Sequence, residues 1–467
     1  MNPNEHLTLS RESLAHWTRR DFLARTGMGF GAMSAAGLLG PQALAAAGAT
    51  SPLSPKQPHM PAKAKHVIHI FAQGAPTHVD TWDPKPELSK YDDKPLPGLN
   101  GVGFGSPFKF NRSGKSGIEV SEVFPQLAKH IDEMAVIRSM YTDIPSHEVA
   151  TVFMNTGSLR LAKPSLGSWA VYGLGSDNQN MPGYISLRPG GLPPGGTQNW
   201  QSAFLPGVYQ GTTVNTQGRP DEIIENIRNQ FTPLSEQRRQ LDLVNKLNTI
   251  HSQTLQKDAQ LEARLEAYEM AFKMQTEATD AFDIAKETQA TRDLYGNTPQ
   301  GKQLLIARRL VEKGVRFVQV WDGGWDHHQN LETALSNKAQ GIDGPAAALL
   351  TDLKQRGLLD QTLVIWGGEF GRTVTRDRNG GGEPGRDHNN RAFSLWMAGG
   401  GVRGGIVYGS TDEFGARAVV DKVHIHDIHA TILALLGFDH TKLTYRYNGR
   451  DFRLTDNFGV VVKNVIA

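Results

Sequence analysis

His66-Val67-Ile68-His69-Ile70-Phe71-Ala72 is a short apolar run closed by Gly74 and Pro76, the pattern of a buried strand. Four further runs share its character: Met134-Ala135-Val136-Ile137, Val315-Arg316-Phe317-Val318-Gln319-Val320, Thr362-Leu363-Val364-Ile365-Trp366 and Ala392-Phe393-Ser394-Leu395-Trp396-Met397. Helical patterns lie between them, at Gln303 to Glu312 and Gly344 to Arg356. Strands alternating with helices predict an α/β fold with a mainly parallel central sheet and helices on both faces. Residues 65–467 are expected to form this domain, preceded at 46–64 by an Ala/Ser/Pro/Lys linker.

Two stretches depart from the pattern. Residues 188–219 are rich in Gly, Pro, Thr and Gln, which predicts a long irregular loop placed to lie over a pocket. From about Pro233 to Arg292, Leu241, Val244, Leu247, Ile250, Leu255, Leu261, Leu265 and Tyr268 recur at three- and four-residue steps among polar residues. That spacing predicts a helical insertion, either a long helix or a helical hairpin, packed on its own domain or presented to a partner.

The chain has 467 residues with 49 Lys+Arg against 47 Asp+Glu, so no dominant electrostatic surface for nucleic acid is expected. It has no cysteine, which excludes a disulfide scaffold, thiolate metal sites and a cysteine nucleophile. Thr18-Arg19-Arg20-Asp21-Phe22-Leu23 precedes a weakly apolar Gly/Ala-rich stretch and then Ala43-Leu44-Ala45, a small-residue cleavage pattern. Residues 1–45 thus resemble a twin-arginine signal peptide. This implies a bacterial protein that meets the twin-arginine machinery and is exported to the periplasm or cell envelope. The apolar run is too short and too Gly-rich for a stable transmembrane span.

Polar clusters flank the strands. The first strand runs into Gly74-Ala75-Pro76-Thr77-His78-Val79-Asp80, and the strand at 315–320 into Asp322-Gly323-Gly324-Trp325-Asp326-His327-His328. The strand at 362–366 leads to Glu369-Phe370-Gly371-Arg372, and Asp387-His388-Asn389 precedes the strand at 392–397. In parallel α/β sheets ligands bind where loops converge beyond the carboxyl ends of the strands. Mixed carboxylate and imidazole donors gathered there suit a divalent cation.

These segments resemble a known group. Val79-Asp80-Thr81-Trp82-Asp83-Pro84-Lys85-Pro86, Ala307 to Phe317, Gly324-Trp325-Asp326-His327-His328 and Gly368-Glu369-Phe370-Gly371-Arg372-Thr373 look like the secreted DUF1501 family. The order of elements, closing with His388 to Gly405 and His426-Asp427-Ile428-His429-Ala430-Thr431, is similar to the alkaline phosphatase/sulfatase superfamily. The resemblance implies hydrolysis or transfer of phosphate or sulfate esters at one or two divalent ions, among Zn, Mn, Mg and Ca. It implies Asp80, Asp322, Asp326, His328, Glu369 and His388 as metal ligands.

Phe370 stands where that superfamily has a ligand histidine, so one metal position is altered, single or lost. Counting back from Thr156-Gly157 puts His147 at the nucleophile position, one residue after Ser146. His147 reads as nucleophile, base or ligand, and Ser146 as nucleophile or helix cap. The planar fork of Arg372 suits an oxyanion clamp. The expected function is an exported metal-dependent hydrolase of a small-molecule or glycan ester. The alternative keeps the fold without catalysis and binds an anionic glycan or cell-envelope ligand.

Overall fold

The run at His66–Phe71 is strand β1, buried along its whole length. Its neighbours are β2 (Met134–Tyr141), β3 (Tyr184–Arg188), β4 (Thr212–Asn215), β5 (Phe317–Trp321), β6 (Thr362–Gly367), β7 (Phe393–Ala398), β8 (Ile406–Tyr408) and β9 (Val423–His424). The protein is seen here as a computed structural model, which describes residues 51–218, 232–254, 265, 268–270, 272–273, 280–377 and 382–467. The expected export signal, residues 1–45, lies outside the described residues.

The sheet has the order β8-β2-β7-β6-β1-β5-β3-β4, with β9 also paired to β2. It is mixed and mostly parallel. β1 runs parallel to β5 and β6, β3 to β4 and β5, and β8 and β9 to β2. Only β7 is reversed, antiparallel to both β6 and β2. Two reversals restore direction, so β1, β2, β5 and β6 all end on the same edge, and β7 begins there.

Alternation along β1 feeds two cores. Ile68 and Ile70 pack with helices α4 (Pro299–Glu312) and α5 (Leu331–Gln355) on one face. Val67 and Phe71 pack on the other with α1 (His147–Thr156), α2 (Leu166–Leu174) and α6 (Ile425–Leu435). Helix α5 begins well before the predicted Gly344, because tertiary packing of Leu331, Leu335, Ala339 and Ile342 carries the helix through Pro345.

Residues 52–64 are not a free linker. Leu53 is buried, and the Lys56, Met60 and Lys63 amides donate to Leu174, Gly437 and Leu435 carbonyls. The predicted loop at 188–219 contains β4, whose Thr212-Thr213-Val214 favours an extended backbone, and two short 3-10 turns. Helix α3 (Leu234–Thr254) opens the predicted helical insertion, most of which beyond Thr254 lies outside the described residues. The described residues fall into two units: one, within 52–241 and 257–467, contains the sheet, and the other contains residues 242–254 of α3. Among the described residues no helix is long and apolar enough to cross a membrane.

The second core holds histidines that fold in the neutral state. His69 on β1 is fully buried against Phe71 and Phe317 with neither ring nitrogen bonded, and burial lowers its pKa to about 4. Burial likewise lowers His429 to about 4 and His426 to about 3, the neighbouring imidazoles adding to the shift. The unfolded chain protonates these rings near pH 6.5 and the folded one does not, so their contribution is complete above pH 6.5. It is lost as pH falls toward 4, by up to about 3 kcal/mol per ring. The urea midpoint is therefore expected to fall between pH 6.5 and 4, and His69→Phe to flatten that slope; an unchanged midpoint would refute the neutral assignment.

Candidate metal centre

Strand ends deliver the predicted residues to one place. His147 opens α1 just past the end of β2, with Ser146 in an extended backbone at the N-cap (φ −125°, ψ 120°). Asp326 and His328 lie on the loop after β5, and Glu369 and Phe370 follow β6. His388 enters from the β7 side on a two-residue bridge, antiparallel and opposite Arg372. Gly74 lets the β1 and β5 loops touch: its φ is +108°, and a Cβ there would lie 2.6 Å from the Asp326 amide nitrogen.

Asp326 Oδ1 is the focus. It lies 3.2 Å from His147 Nε2, 3.0 Å from His328 Nε2 and 3.5 Å from His388 Nε2. The His328 and His388 Nε2 atoms are themselves 3.0 Å apart. Each ring is oriented from behind. His147 Nδ1 reaches Glu369 Oε1 (2.5 Å), His328 Nδ1 reaches Asp377 Oδ2 (2.8 Å), and His388 Nδ1 reaches Pro145 O (2.9 Å). A backbone carbonyl can only accept, and an ionised carboxylate likewise, so each Nδ1 carries a proton and each Nε2 is aimed at Asp326 Oδ1. His147 Nε2 is buried, and its partner is Asp326 Oδ1.

Burial and charge follow the same division. Glu369 is wholly buried and also accepts from the Gly74 amide at 3.0 Å, whereas 45% of the Asp326 side chain is exposed. The centre is therefore open to solvent on the carboxylate side. Burial alone would lower His147, but the Asp326 and Glu369 carboxylates outweigh it and raise its pKa to about 9. Asp326 is partly buried, yet the imidazoles and Arg372 hold its carboxyl far below the usual range.

Other predicted residues take different places. Asp80 is not among the convergent donors: Arg386 grips both of its oxygens, at 2.6 and 2.9 Å, and both side chains are fully buried. Asp322 is held by Lys338 on one oxygen and by Trp325 Nε1 at 3.0 Å on the other, with burial raising its pKa. Glu369 stands one atom behind the centre, on the far side of His147. Arg372 donates to the carbonyls of Gly74, Ala75 and Arg386, and its remaining contacts are Asp326 Oδ1 and His328 Nε2. All five of its N–H groups are accounted for, so no spare fork faces an ester oxyanion. Ser146 is exposed, and its side chain caps no backbone N–H.

Phe370 is a wedge. Fully buried, it packs its ring 4.8 Å from the His147 ring and 4.9 Å from that of His388, which fixes both rings from one side. Two other carboxylates near the centre, Asp377 and Asp387, are outside the predicted ligand set. Asp377 is placed by an isolated bridge to Gly385, and Asp387 joins His328 and His388 in a second group of potential ligands. A separate cleft of about 720 Å³, lined by residues including Thr216, Arg292, Thr298 and Lys302, contains none of the predicted site residues.

The model of a family described as "Protein of unknown function (DUF1501)" matches residues 64–466. No curated protein matches the sequence. Solved structures similar to the chain include a magnesium-bound mutant of the alkaline phosphatase from the Antarctic bacterium TAB5. Its TM-score is 0.35 at 14% identity, over 82% of this chain and 99% of that one. Another is the PsFucS1 sulfatase from Pseudoalteromonas sp., with TM-score 0.35 and 14% identity over 80% of this chain and 68% of that one. Both likenesses are distant, and what the centre can do follows from its own residues.

Proposed function

The chain belongs to the DUF1501 family, and from that premise we propose that its strand-end centre binds a divalent metal ion and hydrolyses phosphate or sulfate esters. The observation that carries this reading is the convergence of the His147, His328 and His388 Nε2 atoms on Asp326 Oδ1. The His328 and His388 Nε2 atoms stand 3.0 Å apart, a separation at which two neutral rings need a proton or a shared cation between them. Tetrahedral bonds of 2.0–2.1 Å place ligand atoms about 3.4 Å apart, and Asp326 Oδ1 lies 3.0–3.5 Å from the three Nε2 atoms. The donor set favours Zn or Mn, since Mg and Ca prefer all-oxygen surroundings.

A bound ion supplies Lewis-acid polarisation of the ester oxygen. The chain's own residues do the rest. Glu369, Asp377 and the Pro145 carbonyl fix the tautomer and aim of each imidazole. Phe370 keeps water from the back of the site, and Arg372 holds a fixed positive charge beside the place where ester charge develops. The same proposal carries the twin-arginine reading, with the protein acting in the periplasm or cell envelope.

The test is to measure metal in the purified protein, then assay aryl phosphates and sulfates with added Zn or Mn. Metal-dependent turnover that a chelator removes is expected. A second reading is favoured by Arg372, which already neutralises Asp326: a non-catalytic protein that holds an anionic glycan or cell-envelope ligand. A protein without bound metal and without hydrolysis would replace the first reading with the second.

A further inference from the structure

The resemblance to two-metal esterases raises the question of how many ions this centre holds. We propose that it takes a single divalent ion per chain, because the protein's own cations occupy the carboxylates a second ion would need. This rests on the metal-binding reading above and adds the stoichiometry and ligand set: His147, His328, His388 and Asp326.

Asp80 is closed to any ion. Arg386 takes both carboxylate oxygens, Thr77 Oγ1 donates to Oδ2 at 2.6 Å, and neither charged side chain is exposed. Arg386 is itself held, stacked 4.6 Å from the Phe104 ring and bonded to the Phe104 carbonyl at 2.9 Å. Asp322 is closed in the same manner, with Lys338 on Oδ1, the Trp325 indole on Oδ2, and the side chain fully buried. A guanidinium and an ammonium thus stand in the two places where a second metal would find its carboxylates, and neither acid can turn outward. Between His147 and His388, where a further imidazole would be needed, the fully buried Phe370 offers no donor.

The second group of potential ligands does not supply another site. His328, Asp387 and His388 draw on two imidazoles already counted. The Nδ1 atoms of those rings are engaged by Asp377 and Pro145, and their Nε2 atoms face Asp326. One lone pair cannot serve two ions. Asp387, with 59% of its side chain exposed, is then the carboxylate left at the mouth, 3.9 Å from a His328 Nδ1 that Asp377 already engages at 2.8 Å. His147, at the position where the resemblance implies a nucleophile, is consequently a ligand.

The experiment is a zinc titration of the purified full-length protein, read by calorimetry and by elemental analysis after gel filtration. One zinc per chain is expected for the wild type and for Asp322→Asn, and loss of tight binding for His147→Ala. Two zinc ions per chain in the wild type would overturn the proposal while leaving metal-dependent hydrolysis intact. One ion that survives His147→Ala unchanged would overturn the ligand set. No bound zinc at all would overturn the metal reading itself. The wild-type count decides the stoichiometry even where a variant fails to fold.

Discussion

Replacing Asp326 and His328 together by Ala is expected to remove the bound ion and lower ester hydrolysis by more than about 100-fold while the protein stays folded. The expectation comes from the position of one atom. Asp326 Oδ1 is the point on which all three imidazole Nε2 atoms converge, so removing it deletes the anionic ligand and leaves a neutral set around a dication. His328 provides the second contact, at 3.0 Å. Both side chains are substantially exposed, at 45% and 33%, so their loss leaves no large cavity, and the stability lost comes from the buried Arg372, which gives up its counter-ion Asp326. Their partner Arg372 keeps its three backbone carbonyls. A milder variant, Glu369→Gln, keeps the shape but weakens the acceptor behind His147, and is expected to reduce metal affinity about 10- to 100-fold. Elemental analysis, turnover and circular dichroism on the same preparations separate loss of the ion from loss of the fold. Unchanged metal content in the double variant would place the ion elsewhere.

The parts of this protein that could be read from its sequence are those in which local composition and tertiary position agree. Fully buried strands are continuous apolar runs, so β1, β5, β6 and β7 were recognisable to within two residues. Their shared edge followed from the parallel-sheet rule, which gathered Asp326, His328, Glu369 and His388 before any contact was known. What remained hidden depends on partners far along the chain. Asp80 has the look of a ligand until Arg386, 306 residues later, is found on it. Asp377 has no motif around it, and only the bridge to Gly385 brings it behind His328. Glu369 lies behind His147, on its Nδ1, because the difference between touching an ion and orienting its ligand is set by side-chain direction, which a motif does not carry. Strand β4 escaped because four residues inside a Gly/Pro-rich stretch give too short a pattern to register.

Asp80→Asn is expected to destabilise the protein by about 3–5 kcal/mol, among the largest effects of any single substitution outside the metal centre. Neither side chain of the Asp80–Arg386 pair touches solvent, and the guanidinium cannot shed its proton to escape an apolar site. Without the carboxylate, Arg386 is left as a buried charge held only by the carbonyls of Phe104 and Thr373 and the face of the Phe104 ring. The neutral amide of Asn cannot compensate it. The cost arises from the uncompensated partner more than from the lost attraction, and a second substitution exposes the difference. Asp80→Leu combined with Arg386→Met removes both charges, and most of the lost stability should return, because the pair's own desolvation cost vanishes with it. Urea unfolding of the wild type, the single variant and the double variant measures each step. If the single variant unfolds at the wild-type midpoint, Asp80 is not the internal counter-ion of Arg386. If the folded fraction of that variant also binds one ion fewer, the carboxylate was a ligand after all, and the division between structural and metal-binding acids at this sheet edge would have to be redrawn.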